Sequence, residues 1–290
     1  MSSFFWKEKE LQFAGDRSGL QSIFVRRHLG YYHLAGKSMA FDWRMGLKKL
    51  MRAAIPLAFW LLVWELAALA VGRELLLPGP LRVGERLLAL AETGGFWLDL
   101  GATLGRVFLG LLWGAAMGTA LAFLTRFSRW ADRLLAPVIR VVRATPVVSF
   151  ILLVYLWVPR RAIPWVISGL MVLPVVWEAL SAGLDSLDGK LLEMARVYRF
   201  SRYKTLRLIC LPALRPHFSA GLLTAFGLAW KSGVAAEVIC PPAHAIGSRI
   251  QQAKLGLETP DLFAWTLAIV GLSLALEGLF RRGLERGRKP

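Results

Sequence analysis

The sequence predicts an all-α membrane protein that crosses the bilayer six times and keeps both ends in the cytoplasm. Three observations carry this. Hydrophobic residues make up 56% of the 290-residue chain and charged residues only 19%, where soluble domains are about 45–50% apolar and about 25% charged. Six apolar runs stand near the length of about 18 residues that a spanning helix needs; they are 53–71, 107–124, 134–158, 162–184, 218–240 and 262–280. Basic residues crowd alternate loops: segments 41–53, 125–133, 185–217 and 281–290 hold nineteen Lys and Arg, and 73–102, 159–161 and 241–261 hold seven. Basic loops stay cytoplasmic, so the net charge of +17 reads as topology. No aromatic-basic module accompanies it, so the expected surroundings are a lipid bilayer and not nucleic acid.

Residues 1–38 are polar and mixed in charge, with no apolar core of a signal peptide. Gly30–Ser38 imitates a phosphate loop, but five residues separate Gly30 from Gly36 where the motif has four. Segment 1–40 is therefore expected to be a cytoplasmic leader that is dispensable, with Met39 and Met45 as alternative starts. Segment 41–290 is the membrane domain.

The first, second, fourth, fifth and sixth runs are uninterrupted. The third admits Arg140 and Arg143, and Pro146 should kink it. Its uncharged part, 144–159, would cover only about 24 Å as a helix, so the two arginines must snorkel to the nearer interface. In and before the second run, Gly101, Gly105, Gly110, Gly114 and Gly118 recur at four- and five-residue steps, which suits close helix packing. Trp60, Trp64, Trp157, Trp165 and Trp265 fall near predicted interfaces. Cys210 and Cys240 stand far apart, and the four His lack metal-binding spacing, so neither a disulfide nor a metal site is expected.

Between the fourth and fifth runs lies a basic cytoplasmic loop, 185–216. Leu187, Leu191, Met194, Ala195 and Tyr198 form one stripe at helical spacing. Asp185 or Ser186 can cap that helix, and Asp188 suits its positive end. Ser201 can cap a second short helix, which Pro212 should end or hand on to the next element. A charged rim around an apolar stripe fits docking to a soluble partner; a basic loop lying on anionic lipid is the alternative.

The segment Glu193-Met194-Ala195, three residues, Arg199, nine residues, Ile209-Cys210-Leu211-Pro212 resembles the cytoplasmic signature loop of ATP-binding-cassette importer permeases, whose pattern is E-A-A, three residues, Gly, nine residues, I-x-L-P. Met194 replaces an Ala, and Arg199 stands where the pattern has Gly. If the turn keeps a positive φ, Arg199 costs about 1 kcal/mol. The likeness extends over 53–284, through "LLVWELAAL", "LLLPGPLRV", "RATPVVSFILLVYLW" and "GLAWKSGVAAEVI", to the nitrate, sulfonate, bicarbonate and taurine branch. This resemblance implies a six-helix type I importer permease working as a dimer of two copies, with ATPase subunits and an external solute-binding protein. ATP and Mg would sit on the ATPase, and no cofactor on this chain, which has no ATPase motif. Glu193, Met194, Ala195, Tyr198, Arg199, Ile209, Leu211 and Pro212 would then form the ATPase-coupling loop.

Charges inside spans are costly, about 2.5–3.5 kcal/mol by insertion scales. Lys231 lies mid-span in the fifth run, with Glu237 six residues on but on another face. Glu178 in the fourth run and Glu65 in the first can meet Lys231 across the bundle. These four either line the solute path or pair to fix helix packing. Two rival functions need features that are missing. An intramembrane enzyme needs a nucleophile with a base, and Ser149, Ser168 and Ser181 have no base motif beside them. An ion-coupled secondary transporter shows internal repeats, which this chain lacks, and would leave the 191–212 segment idle.

Overall fold

A computed structural model describes the backbone over 43–286 and side chains over 54–283 apart from Arg202. The leader 1–40 and the basic side chains of 41–53 lie outside the described residues. The chain divides into two compact units, Met1–Leu62 and Val63–Pro290. Helix α1 (Trp43–Val71) runs from the first into the second. Within the second unit, the Trp64 indole donates to Pro78 O at 3.1 Å and stacks on Phe263.

The rest of the second unit is helical: α2 (Pro80–Ala91), α3 (Gly94–Phe127), α4 (Arg129–Ala144), α5 (Val147–Tyr155), α6 (Ile163–Asp185), α7 (Gly189–Val197), α8 (Arg202–Thr205), α9 (Leu211–Ile239), α10 (Ile246–Leu255) and α11 (Thr259–Arg286). Five segments are long and apolar enough to cross a membrane: Ala54–Val71, Gly94–Phe127, Ile163–Asp185, Tyr203–Ile239 and Thr259–Gly283. The third expected span, 134–158, is broken. Helices α4 and α5 meet at an angle of 107°, because Pro146 removes a donor and bars the helical conformation of Thr145, which is extended at ψ 131°.

The core is a bundle of α3, α6 and α9. Gly110, Gly114 and Gly118 sit directly on α6: a Cβ at these positions would lie 2.6 Å from Trp165 O, 2.5 Å from Gly169 O and 2.6 Å from Leu173 O. The contacts advance in the same direction along both helices, so α3 and α6 run parallel. The chain between them must therefore return across the bundle, and α4 with α5 makes that return. Gly101 and Gly105, expected to belong to the same packing ridge, have open space around them. Helix α9 runs antiparallel to α6, with Gly183 beside Leu214 and His217 and Gly233 beside Ser168. Val107, Leu111, Val172, Val176, Phe226 and Trp230 fill the centre, and Phe226 stacks on Phe280 of α11 at 5.0 Å. Trp265 is 4% exposed and packs on Phe96, so it belongs to the core and not to an aromatic belt; Trp60 and Trp157 are exposed.

Candidate functional site

Two regions concentrate the groups that sequence reasoning singled out. The first is the 185–216 loop, which the resemblance expects to couple to an ATPase. Asp188, not Asp185 or Ser186, caps α7: its Oδ1 accepts from Lys190 N at 2.9 Å. The Ser186 hydroxyl instead donates to Gly183 O. Helix α7 closes in a Schellman motif, with Phe200 N donating to Ala195 O (2.8 Å) and Arg199 N to Arg196 O (3.0 Å). Arg199 occupies its left-handed position at φ 51°. The turn that usually takes Gly is thus kept, with Arg in it.

Ser201 then caps α8, accepting from Lys204 N at 3.3 Å. The helix does not end at Pro212. A π-helical turn, Leu206–Cys210, joins α8 to α9, with Leu211 N donating to Leu206 O, five residues back. This wider turn absorbs one extra residue just before the position that has no N–H to give. The loop is consequently continuous with a membrane-spanning helix.

The expected apolar stripe divides into an anchored part and a free part. Ala195 and Ile209 are buried and Leu187 packs on the core. Leu191, Met194 and Tyr198 are exposed, with Leu211 beyond the turn. Glu193, Arg199 and Pro212 are exposed as well. Val197, which sequence reading missed, is 79% exposed beside Met194; an apolar residue on the charged flank of an amphipathic helix was the available signal.

The second region lies at the other end of α9. Glu237 is fully buried. Its carboxylate accepts from Thr103 Oγ1 (2.8 Å), Arg106 Nη1 (2.9 Å) and Gly247 N (3.3 Å). Arg106 also donates to Ala243 O and His244 O, and Thr103 Oγ1 accepts from Ile246 N. The carboxylate therefore ties α3, α9 and the first turn of α10 together. Gly247 is required there, since a Cβ would meet Glu237 Cβ at 2.4 Å. Beside this knot, buried Asp99 accepts from Arg249 Nε at 2.6 Å and lies 3.4 Å from His244 Nδ1, next to a cavity of about 250 Å³. Asp99, Thr103 and Arg106 follow one another at four and three residues, hence on one helix face. That spacing was the missed signal. Among the described residues no group of three or more His, Cys, Asp and Glu side chains could hold a metal ion.

The four charges expected near one another are not brought together. Glu237 pairs with Arg106, and Glu178 pairs with Arg143 of α4, both members about half exposed. Glu65 lies against the turn at Gly79. Lys231 is exposed on α9 and has no carboxylate within 4 Å among the described residues. It shares a stripe with exposed Ala220, Thr224 and Leu228.

Residues 110–284 match the family model of the binding-protein-dependent transport system inner membrane component. The chain is 29% identical over 262 residues to the taurine transport system permease protein TauC of Escherichia coli (strain K12), covering 87% of this chain and 94% of that one. It is 29% identical over 238 residues to the riboflavin transport system permease protein RibX of Chloroflexus aurantiacus, covering 80% and 88%. A crystal structure of a bacterial ABC transporter involved in the import of the acidic polysaccharide alginate superposes with a TM-score of 0.58 at 17% identity, over 85% of this chain and 99% of that one; at that identity the likeness concerns the fold.

Proposed function

Because this chain belongs to the binding-protein-dependent transport system inner membrane components and is a multi-pass inner-membrane permease, we propose that it forms the solute path of an ATP-driven importer and takes its energy from a separate ATPase at the 185–216 loop. The observation that carries this is the α7 face. Leu191, Met194, Val197 and Tyr198 are exposed together at one end of the bundle, on a helix whose two ends are fixed by a cap and a Schellman turn. An apolar face on a short rigid helix, rimmed by Glu193, Arg196 and Arg199, suits a protein groove. Its connection to α9 gives it leverage: a displacement of α7 reaches the core helix through Leu206–Cys210. ATP-driven closure of the ATPase pair would move the docked helices and rock two permease copies between inward and outward access. In this orientation the 185–216 end is cytoplasmic and the Glu237 end faces the external binding protein.

Exposed Lys231 supports a second copy as part of this proposal. Facing acyl chains would cost it about 2.5–3.5 kcal/mol, so the stripe of Ala220, Thr224, Leu228 and Lys231 would face a second copy of the chain, or the watered path between two copies. Glu178, exposed with Arg143, would border the same path. Relatives of equal identity are named for taurine and for riboflavin transport, and solute selection is accordingly assigned to the external binding protein.

The test is a pair of variants in the assembled transporter, Glu193→Lys and Met194→Arg, with ATP hydrolysis and uptake measured in proteoliposomes. Both should insert normally while uptake falls at least about tenfold relative to hydrolysis, as expected when an interface centre is lost. Full uptake with normal co-purification of the ATPase in both variants would defeat the assignment.

A further inference from the structure

On the coupling-loop end of the bundle, a cavity of about 430 Å³ opens between the last turn of α3, the first turns of α4 and the last turns of α6. Arg126, Arg129 and Arg133 line it, together with Asp132 and Asp185. Arg126 is drawn to Asp185 at 3.7 Å, an exposed pair. Arg129 and Arg133 lie one helical turn apart on α4, and neither has a carboxylate within 4 Å among the described residues. Ser181 Oγ forms part of the wall, is buried, and has no hydrogen-bond partner. The positive end of α4 points the same way, although Ser128 Oγ already accepts from Ala131 N at 3.3 Å. Two guanidiniums without a carboxylate partner among the described residues and one unpartnered hydroxyl thus share one space.

The surroundings indicate what kind of anion reaches it. Phe127, Trp130 and Leu134 are 79%, 74% and 69% exposed beside the arginines, and the Arg133 guanidinium lies 5.8 Å from the Trp130 ring centre. Exposed aromatics next to a guanidinium are what a bilayer interface selects. Two cavities at the opposite end of the bundle carry more carboxylates than bases, Asp99, Glu258 and Asp261 against Arg249 in one and Glu74, Glu85, Glu258 and Asp261 against Arg82 and Arg86 in the other. The basic cavity differs from both in the balance of its charges.

We propose that this cavity binds the phosphate of an anionic lipid headgroup, held by Arg129 and Arg133 with the Ser181 hydroxyl donating to a phosphate oxygen. A basic pocket between helices is a known form of headgroup recognition, and a guanidinium pair matches a phosphate diester's oxygens. Assignment to the cytoplasmic leaflet rests on the orientation proposed above; binding itself does not. Occupancy would brace the α3–α4 corner against α6 two turns before the coupling loop begins.

The experiment is thermal unfolding of the full-length permease in a neutral detergent, titrated with phosphatidylglycerol, phosphatidylcholine or inorganic phosphate. Phosphatidylglycerol should raise the midpoint saturably and phosphatidylcholine should not. The double variant Arg129→Gln, Arg133→Gln should unfold at the wild-type midpoint without lipid and bind phosphatidylglycerol about thirtyfold more weakly, the effect of losing two interfacial arginines. Arg82→Gln, at the opposite end, should leave the response unchanged. An equal response to lipid in wild type and the double variant overturns the site. Stabilisation by inorganic phosphate that disappears in the double variant overturns the lipid assignment in favour of a soluble anion. Loss of ATPase co-purification in the double variant, with its lipid response intact, overturns the proposal in favour of a protein contact. A normal lipid result in a protein that fails the Glu193 test would separate this site from the transport assignment.

Discussion

The two ends of α9 satisfy their polar and apolar groups in opposite ways. At Glu237 every oxygen of a fully buried carboxylate has a donor from another element, and the neighbouring turn is held by a guanidinium and a threonine hydroxyl. At Leu211 the helix is prolonged through a π turn into a loop whose Leu191, Met194, Val197 and Tyr198 are exposed. One end is closed by the chain itself. The other is left for something outside it. A membrane protein gains little from burying apolar groups among its own helices, since lipid is equally apolar; polar closure at one end and exposed apolar groups at the other would, on the proposed function, divide rigidity from transmission along a single helix.

The largest effect expected is at the closed end. Glu237→Ala leaves Arg106 without its carboxylate and strips acceptors from Thr103 and Gly247 N. Breaking a buried pair by removing one partner costs about 3–5 kcal/mol. Arg106 is 18% exposed and keeps two backbone carbonyls, which places the loss near the lower figure. Thermal unfolding in detergent should show a clear drop, with Glu237→Gln between Ala and wild type because its amide oxygen still accepts one donor. An unchanged midpoint in Glu237→Ala would mean that this end is not held by its polar knot.

A smaller effect of opposite sign is expected at the open end. Arg199 sits at φ 51° in a turn that Gly adopts freely. Arg199→Gly should stabilise the loop by up to about 1 kcal/mol, with slower proteolysis between α7 and α8 and unchanged uptake. Loss of uptake in this variant would assign the Arg199 side chain a direct contact with the ATPase.

Much of this contrast was legible in the residues. Hydropathy located the five unbroken spans because a spanning helix must be apolar over its whole length. The loop spacing from Glu193 to Pro212 located a short helix and the turn at Arg199, and Ser201 capped the next helix as expected. What hydropathy missed was polar and distant. It started the second span at 107, although α3 begins at Gly94, since Asp99, Thr103 and Arg106 look like loop residues until Glu237 and Arg249 are brought to them. It offered Glu178 and Glu65 as partners for Lys231, whereas Glu178 pairs with Arg143 once α4 and α5 fold back at Pro146. Pro212 could be read as a terminator or as the start of the next element, and the second holds; the π turn that makes the join continuous has no composition of its own.

The smallest expected effect concerns Lys231. The residue is exposed and no carboxylate of its own chain lies within 4 Å among the described residues. Lys231→Met therefore strands no buried charge, and the folded yield and unfolding midpoint should move by less than about 1 kcal/mol, the range of an exposed charge. The companion change Glu178→Gln should not alter that outcome, because its partner is Arg143. Non-additivity between the two would instead require that Lys231 reach Glu178 of a second copy. Uptake is the separate readout. If the Lys231 stripe borders the path between two copies, uptake falls in Lys231→Met while stability holds. If uptake also holds, this face is neither path nor charge-dependent interface, and the open character of α9 ends at its N-terminal third.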